Sequence, residues 1–168
     1  ARRILAGLRK AYGDVTCALT HENALQLLVS TILSAQSTDD TVNRVTPALF
    51  RKYRSAAHFA DADPRALEKE IHATGFFRQK TKAIQGACRL IVGKHGGVVP
   101  STMEEMLELP GVARKTANVV LGTWFGLNEG IVVDTHGGRL SERMGLSWRS
   151  KNSKDAVKIE TDLQELIP

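Results

Sequence analysis

Lys115 is the residue whose type and position most favour covalent chemistry. It follows Leu109-Pro110-Gly111-Val112, in which proline presets φ and glycine accepts a positive φ, so the pattern predicts a tight turn between two helices. Such a helix-hairpin-helix leaves the first amides of its second helix unpaired, and these amides can hold a phosphate of a nucleic acid. The positive end of that helix favours a neutral amine, which predicts a nucleophile that attacks a sugar. An ordinary phosphate contact is the alternative interpretation of an isolated lysine here.

Asp134 is the second candidate for chemistry. It ends the apolar run Ile131-Val132-Val133, so we expect its carboxylate at the edge of a cleft. There it could stabilise positive charge that develops on a sugar ring, or help to activate Lys115 or a water molecule. Aspartate is also a favoured N-cap, so capping of the following helix is the alternative interpretation. The two roles are compatible because a capped carboxylate is fixed in direction.

Four stretches in order along the chain resemble a known family: Ser34-Ala35-Gln36-Ser37-Thr38-Asp39, Gly75-Phe76-Phe77-Arg78-Gln79-Lys80, Leu109 to Gly122, and Val133-Asp134-Thr135-His136. They resemble the endonuclease III (HhH-GPD) family of bifunctional DNA glycosylase/AP lyases, and the likeness extends from Arg3 to Pro168. The resemblance implies base excision repair of oxidised pyrimidines in duplex DNA. It implies that Lys115 and Asp134 are catalytic, that Lys115 forms a Schiff base, and that β-elimination cleaves the strand 3′ to the abasic site.

The resemblance also implies a set of DNA contacts. Gln36 would fill the space left by a flipped nucleotide, and Phe76 would be an apolar wedge in the opposite strand. A helix C-cap for Gln36 and a core anchor for Phe76 remain the alternatives. The other expected DNA-binding residues are Lys80, Gly111, Ala113, Arg114, Thr116, His136 and Arg139.

Three positions depart from the family pattern. Gly137 and Gly138 stand where bulkier residues are usual, next to Asp134. Ala113 stands where the hairpin commonly has its second glycine, so either φ is negative at Ala113 or the turn carries strain.

The formal net charge of +5 over 168 residues favours a polyanionic partner. With the motifs above, we expect that partner to be double-stranded DNA with damaged bases or abasic sites, bound by a monomer. The five histidines show no metal-ligand spacing, so no catalytic metal is expected. The sequence has no run long enough to span a membrane and no apolar leader, which predicts no membrane partner and a cytoplasmic location at the bacterial nucleoid.

The resemblance also bears on cofactors. Most members of the family continue, beyond the position of Pro168, into a four-cysteine loop that holds a 4Fe-4S cluster. The two cysteines of this sequence, Cys17 and Cys88, lie far apart and cannot replace that loop; we interpret both as core residues. We therefore expect no cofactor in this chain: either a longer parent chain carries the cluster or this member lacks it.

The periodicity of apolar residues predicts an all-α fold, a two-lobed helical bundle with a helix-hairpin-helix. Predicted helices span Arg3 to Tyr12, Glu22 to Gln36 (central and buried), Thr38 to Tyr53, Asp63 to Gly75, Phe76 to His95, a short helix opened by a Ser101-x-x-Glu104 capping box, about Ala113 to Phe125, one that carries Leu140 and Met144, and Ser153 to Leu166. Residues 22–126 would form a six-helix barrel domain with the hairpin at about 103–125, and residues 1–21 and 127–168 a second helical domain.

Two other functions remain open. A monofunctional glycosylase of the same superfamily, for adenine or another purine, would not need the amine of Lys115. A non-catalytic helix-hairpin-helix module would gain no DNA affinity from the negative charge of Asp134.

Overall fold

The computed structural model describes residues 2–13, 15–149 and 155–167. All regular secondary structure in these ranges is helical, which confirms the all-α prediction. The α-helices are α1 Arg2–Tyr12, α2 Ala24–Ser34, α3 Asp39–Lys52, α4 Ala56–Ala60, α5 Pro64–Glu70, α6 Phe77–His95, α7 Met103–Glu108, α8 Arg114–Thr123, α9 Thr135–Arg143 and α10 Ala156–Leu166, with a 3-10 turn at His72–Thr74. The predicted start of the last helix at Ser153 lies outside the described residues.

The chain divides into two compact units. Cys17–Leu127 form the larger unit, and Ala1–Thr16 with Asn128–Pro168 form the smaller one. The sequence pattern predicts these divisions after residues 21 and 126.

The core of the larger unit is built around α2. Every residue from Leu27 to Leu33 is buried, as the nearly continuous apolar run predicts, and α2 packs against α3, α6 and α8. Helix α6 contributes Ile84, Cys88 and Ile91 to the same core. Val92, which follows Ile91 by about 100° around the helix, points away from this core and is 40% exposed.

Side-chain caps fix where several helices begin. The Asn23 and Thr38 side chains cap α2 and α3, and Asp63 caps α5 with Pro64 at its first position. The predicted capping box is wrong by one residue, since Thr102 rather than Ser101 caps α7. The Thr102 hydroxyl accepts the Glu105 N–H at 3.3 Å and donates to Glu105 Oε2 at 2.7 Å.

The smaller unit has its own core and a buried carboxylate. Val133, Leu146, Ile159 and Leu163 pack together, with Ile4 of α1 and others against them. The fully buried Asp162 side chain accepts hydrogen bonds from the Ser147 hydroxyl, from the Trp148 and Arg149 amides, and from the Arg149 guanidinium, all at 2.8–2.9 Å. Burial alone would raise the pKa of Asp162, but these hydrogen bonds outweigh it and hold the pKa below its ordinary value.

Candidate active site

The tight turn predicted between α7 and α8 is present. The Val112 N–H donates to the Leu109 carbonyl at 3.0 Å, and Gly111 has a φ of +77°. Pro110 and Gly111 therefore occupy the two central positions of a type II turn, which needs a positive φ at the second of them.

This turn is also packed tightly against α6. A Cβ at Gly111 would lie 2.4 Å from the Ala83 Cβ, and a Cβ at Gly86 would lie 3.0 Å from the Pro110 Cβ. Glycine is thus required at Gly111 for two reasons, its backbone conformation and its close approach to Ala83. The hairpin therefore packs directly against the long helix α6 of the larger unit.

Helix α8 starts directly behind the turn and carries Lys115 in its first turn. Its first hydrogen bond runs from the Ala117 N–H to the Ala113 carbonyl at 3.0 Å, so the Lys115 and Thr116 amides have no partner within the helix. Ala113 has a φ of −98°, an ordinary extended conformation, and the absence of a second glycine causes no strain there. Lys115 is exposed, which leaves its amine open to a substrate.

A pocket of about 340 Å³ lies in the larger unit beside the hairpin. It brings together residues predicted from separate motifs: Gln36, Phe76, Lys80, Gly111 and Thr116. Five further residues line the pocket and were not predicted as site residues: Thr31, Ile32, Ala35, Gln79 and Ala83. Thr31 and Ile32 lie on α2, five and four residues before Gln36, and no local signal separates them from the rest of the buried helix.

Gln36 and Phe76 share an unusual backbone conformation. With φ values of 53° and 47°, they are the non-glycine residues with positive φ in the part of the chain that the structure describes. Such a conformation costs a residue with a Cβ about 1–2 kcal/mol and is typical of functional positions. Gln36 is exposed and lies beyond Ala35, which is the C-cap of α2. Phe76 is 57% exposed, so it is not a core anchor.

Lys80 does not lie where the sequence predicts it. Its side chain is 5% exposed, and its ammonium donates to the Leu33 and Thr74 carbonyls, both at 2.7 Å. Burial also lowers the pKa of this lysine. The expectation that Lys80 contacts a DNA phosphate is wrong for this structure, because the ammonium points into the protein.

Asp134 belongs to the smaller unit, where it caps α9. Its Oδ1 accepts the Gly137 N–H at 2.7 Å, which confirms the capping interpretation and fixes the direction of the exposed carboxylate. A Cβ at Gly137 would lie 3.4 Å from this oxygen, an ordinary contact. The glycine at position 137 is therefore not required for the cap, since a Cβ would fit there beside Asp134.

His136 and Arg139 follow Asp134 on α9 and contact each other. The Arg139 Nη2 lies 3.1 Å from the His136 Nδ1. Because a guanidinium only donates, Nδ1 is the acceptor and carries no proton in this arrangement. Both side chains are exposed and form a basic pair one turn beyond Asp134.

The described residues contain no group of three or more His, Cys, Asp or Glu side chains that could hold a metal ion. A 4Fe-4S cluster needs four thiolates, whereas this sequence has two cysteines. Cys88 lies in the core, and burial raises the pKa of its thiol to about 12. These residues do not fit a cluster.

Comparison with known proteins decides the family. Residues 29–168 match the family described as HhH-GPD superfamily base excision DNA repair protein. The chain is 55% identical over 168 residues to endonuclease III of Synechocystis sp. (strain ATCC 27184 / PCC 6803 / Kazusa), covering 100% of this chain and 75% of that protein. The chain belongs to the endonuclease III family. It is thus a base excision repair glycosylase, and about a quarter of its relative's length lies outside the match.

Solved structures of endonuclease III have the same fold. A non-covalent endonuclease III–DNA complex matches with a TM-score of 0.92 and 40% identity, over 99% of this chain and 76% of that one. A trapped endonuclease III–DNA covalent intermediate matches with a TM-score of 0.92 and 39% identity, over the same shares of both chains. Among the residues of this chain that the structure describes, no helix is both long and apolar enough to cross a membrane.

Proposed function

We propose that this chain is a bifunctional enzyme that removes oxidised pyrimidines from duplex DNA and cleaves the strand at the resulting abasic site. The observation that carries the proposal is the position of Lys115. It is an exposed amine on the first turn of α8, behind a type II turn packed against α6, in the same unit as a pocket lined by Gly111 and Thr116.

The proposed reaction uses one amine for two bond cleavages. The neutral nitrogen of Lys115 bonds to C1′ of the damaged nucleotide, and the glycosidic bond breaks so that the base leaves with its electron pair and takes up a proton. Opening of the sugar ring gives a Schiff base. Its iminium acidifies the C2′ proton, whose removal breaks the bond between C3′ and the 3′ phosphate oxygen.

Asp134 is the proposed carboxylate of this reaction. A negative charge stabilises the positive charge that develops on the sugar as the base leaves, or accepts a proton from the nucleophile. The cap to Gly137 supports either role, because it holds Oδ1 in place and requires no further residue to orient the carboxylate.

The proposed DNA contacts fall into two groups. The amides of Lys115 and Thr116, which have no partner within α8, would hold backbone phosphate together with Gly111, Ala113 and Arg114, without reading sequence. Gln36 and Phe76 would enter the duplex, Gln36 in place of the flipped nucleotide and Phe76 against the opposite strand. Their exposure and left-handed backbones support this assignment. The basic pair of His136 and Arg139 would contact phosphate near Asp134.

The relatives support the same conclusion. One solved endonuclease III is bound to DNA without a covalent bond, and another is trapped as a covalent DNA intermediate. A covalent intermediate needs a nucleophile, and Lys115 is our assignment for that group in the present chain.

Replacing Lys115 by glutamine tests the proposal on a duplex with one thymine glycol. Base release and strand cleavage should both fall by more than about a thousandfold, as for loss of a nucleophile, whereas affinity for the duplex should stay within about tenfold. Lys69→Gln is the matched control, because Lys69 is an exposed lysine of α5 in the same unit. Retained strand cleavage in Lys115→Gln would contradict the assignment. Base release by the unaltered protein without any strand cleavage would favour a monofunctional glycosylase instead.

A further inference from the structure

Lys80 is a buried cation that the proposed reaction does not use. Its side chain is 5% exposed, and the two acceptors of its hydrogen bonds are backbone carbonyls rather than carboxylates. Burial of an ammonium without an ionic partner is unfavourable, and its hydrogen bonds must offset that cost. The two acceptors of these hydrogen bonds therefore show which chain segments the ammonium stabilises.

The two carbonyls that accept from Lys80 belong to chain segments far apart in sequence. Leu33 lies in the last turn of α2, and Thr74 ends the 3-10 turn before α6. Carbonyls at helix ends lack an intrahelical donor and need a partner from elsewhere. One ammonium supplies that partner to both ends at 2.7 Å and so ties the two segments together.

Each of the two segments leads directly into a residue with a left-handed backbone conformation. Gln36 comes three residues after Leu33, and Phe76 comes two residues after Thr74. Both side chains line the same pocket as Lys80. The cation thus lies at the base of the two segments that present Gln36 and Phe76.

We propose that Lys80 is a positioning residue for nucleotide flipping: its ammonium fixes the Gln36 segment to the Phe76 segment, so that both side chains enter one step of the duplex together. The inference rests on the proposed function, since it assumes that Gln36 and Phe76 enter DNA. It assigns Lys80 no contact with DNA and no part in the covalent chemistry.

The test is a mutant cycle measured as single-turnover base release from a thymine glycol duplex. Lys80→Met removes the charge and both hydrogen bonds while it keeps an unbranched chain of similar length. In the otherwise unaltered protein it should slow base release by about tenfold to a hundredfold, the effect of a misplaced contact. In a Gln36→Ala, Phe76→Ala background the same change should cost less than about twofold, because residues that act together are not additive.

A second substrate separates positioning from a loss of fold. A single-stranded oligonucleotide with an abasic site has no opposite strand and no base to flip, so Lys80→Met should cleave it at close to the unaltered rate. Lys80→Gln keeps a donor for one carbonyl and should be intermediate on the duplex; it replaces Lys80→Met if circular dichroism shows that the methionine variant does not fold. Lys69→Met, at an exposed site on α5, controls for the loss of one positive charge.

Two results would overturn the inference: an equal fold-loss from Lys80→Met in both backgrounds, or an equal loss on the duplex and on the single strand. Failure of the proposed function gives a different result. In that case the protein with Lys80 intact would release no base from the duplex and cleave no abasic strand.

Discussion

Replacing Gly111 by alanine should destabilise the hairpin through two separate effects. A left-handed conformation costs a residue with a Cβ about 1–2 kcal/mol, and Gly111 has a φ of +77°. The new Cβ would also lie 2.4 Å from the Ala83 Cβ, an overlap that forces the turn away from α6 and costs about 1–3 kcal/mol. The free energy of unfolding should therefore fall by about 2–5 kcal/mol, measured by urea denaturation followed by circular dichroism.

Gly96 offers a matched control. It has a φ of +60°, and a Cβ added there meets nothing within 4 Å. Gly96→Ala should therefore show the backbone cost alone, about 1–2 kcal/mol. The difference between the two variants isolates the contact with Ala83.

A compensating change tests the contact itself. Ala83→Gly removes the atom that the new Cβ would meet, at a cost of about 1 kcal/mol for glycine within a helix. The double variant Gly111→Ala, Ala83→Gly should be more stable than the sum of the single effects predicts. The close contact between the turn and α6 would be refuted by two results together: equal destabilisation by Gly111→Ala and Gly96→Ala, and additive effects in the double variant.

Two further predictions concern the smaller unit. Asp134→Asn keeps the cap, because asparagine caps a helix as well as aspartate does. The free energy of unfolding should therefore stay the same, while base release should slow by about a hundredfold or more. Unaltered turnover would show that Asp134 is only a cap. The pKa of Asp162 is lowered in the folded state. Its contribution to the free energy of unfolding is therefore present above the unfolded pKa of about 4 and is lost as pH falls through the lowered value. Urea midpoints between pH 6 and pH 2 should therefore drop more steeply for the unaltered protein than for Asp162→Asn, and parallel curves would contradict the assignment.

Local signals were sufficient to predict most of the helices. The starts of α3 and α5 next to Thr38 and Asp63, and the burial of α2, depend on residues close in sequence, and the structure confirms them. Helix α4 was missed because five residues are too few to show a 3.6-residue period. The error between Ser101 and Thr102 has a similar origin, since each has a glutamate three residues later and the pattern does not distinguish them.

The candidate site was predictable only in part, for a physical reason. The Pro110-Gly111 turn and the Asp134 cap are local, and both are present. The burial of Lys80 depends on a carbonyl 47 residues away, which no pattern around Lys80 contains. The left-handed backbones at Gln36 and Phe76 are also set by the packing of the segments around them, since neither residue type favours that conformation.

Borohydride reduction during the reaction with thymine glycol duplex tests the role of Lys115 most directly. The reagent reduces a Schiff base to a stable amine, so the protein should become covalently attached to the damaged strand. Digestion and mass spectrometry should then find the sugar remnant on the peptide that contains Lys115, in an amount that matches the trapped DNA. Attachment through another amine, or strand cleavage with no trapped protein, would contradict a mechanism that depends on Lys115.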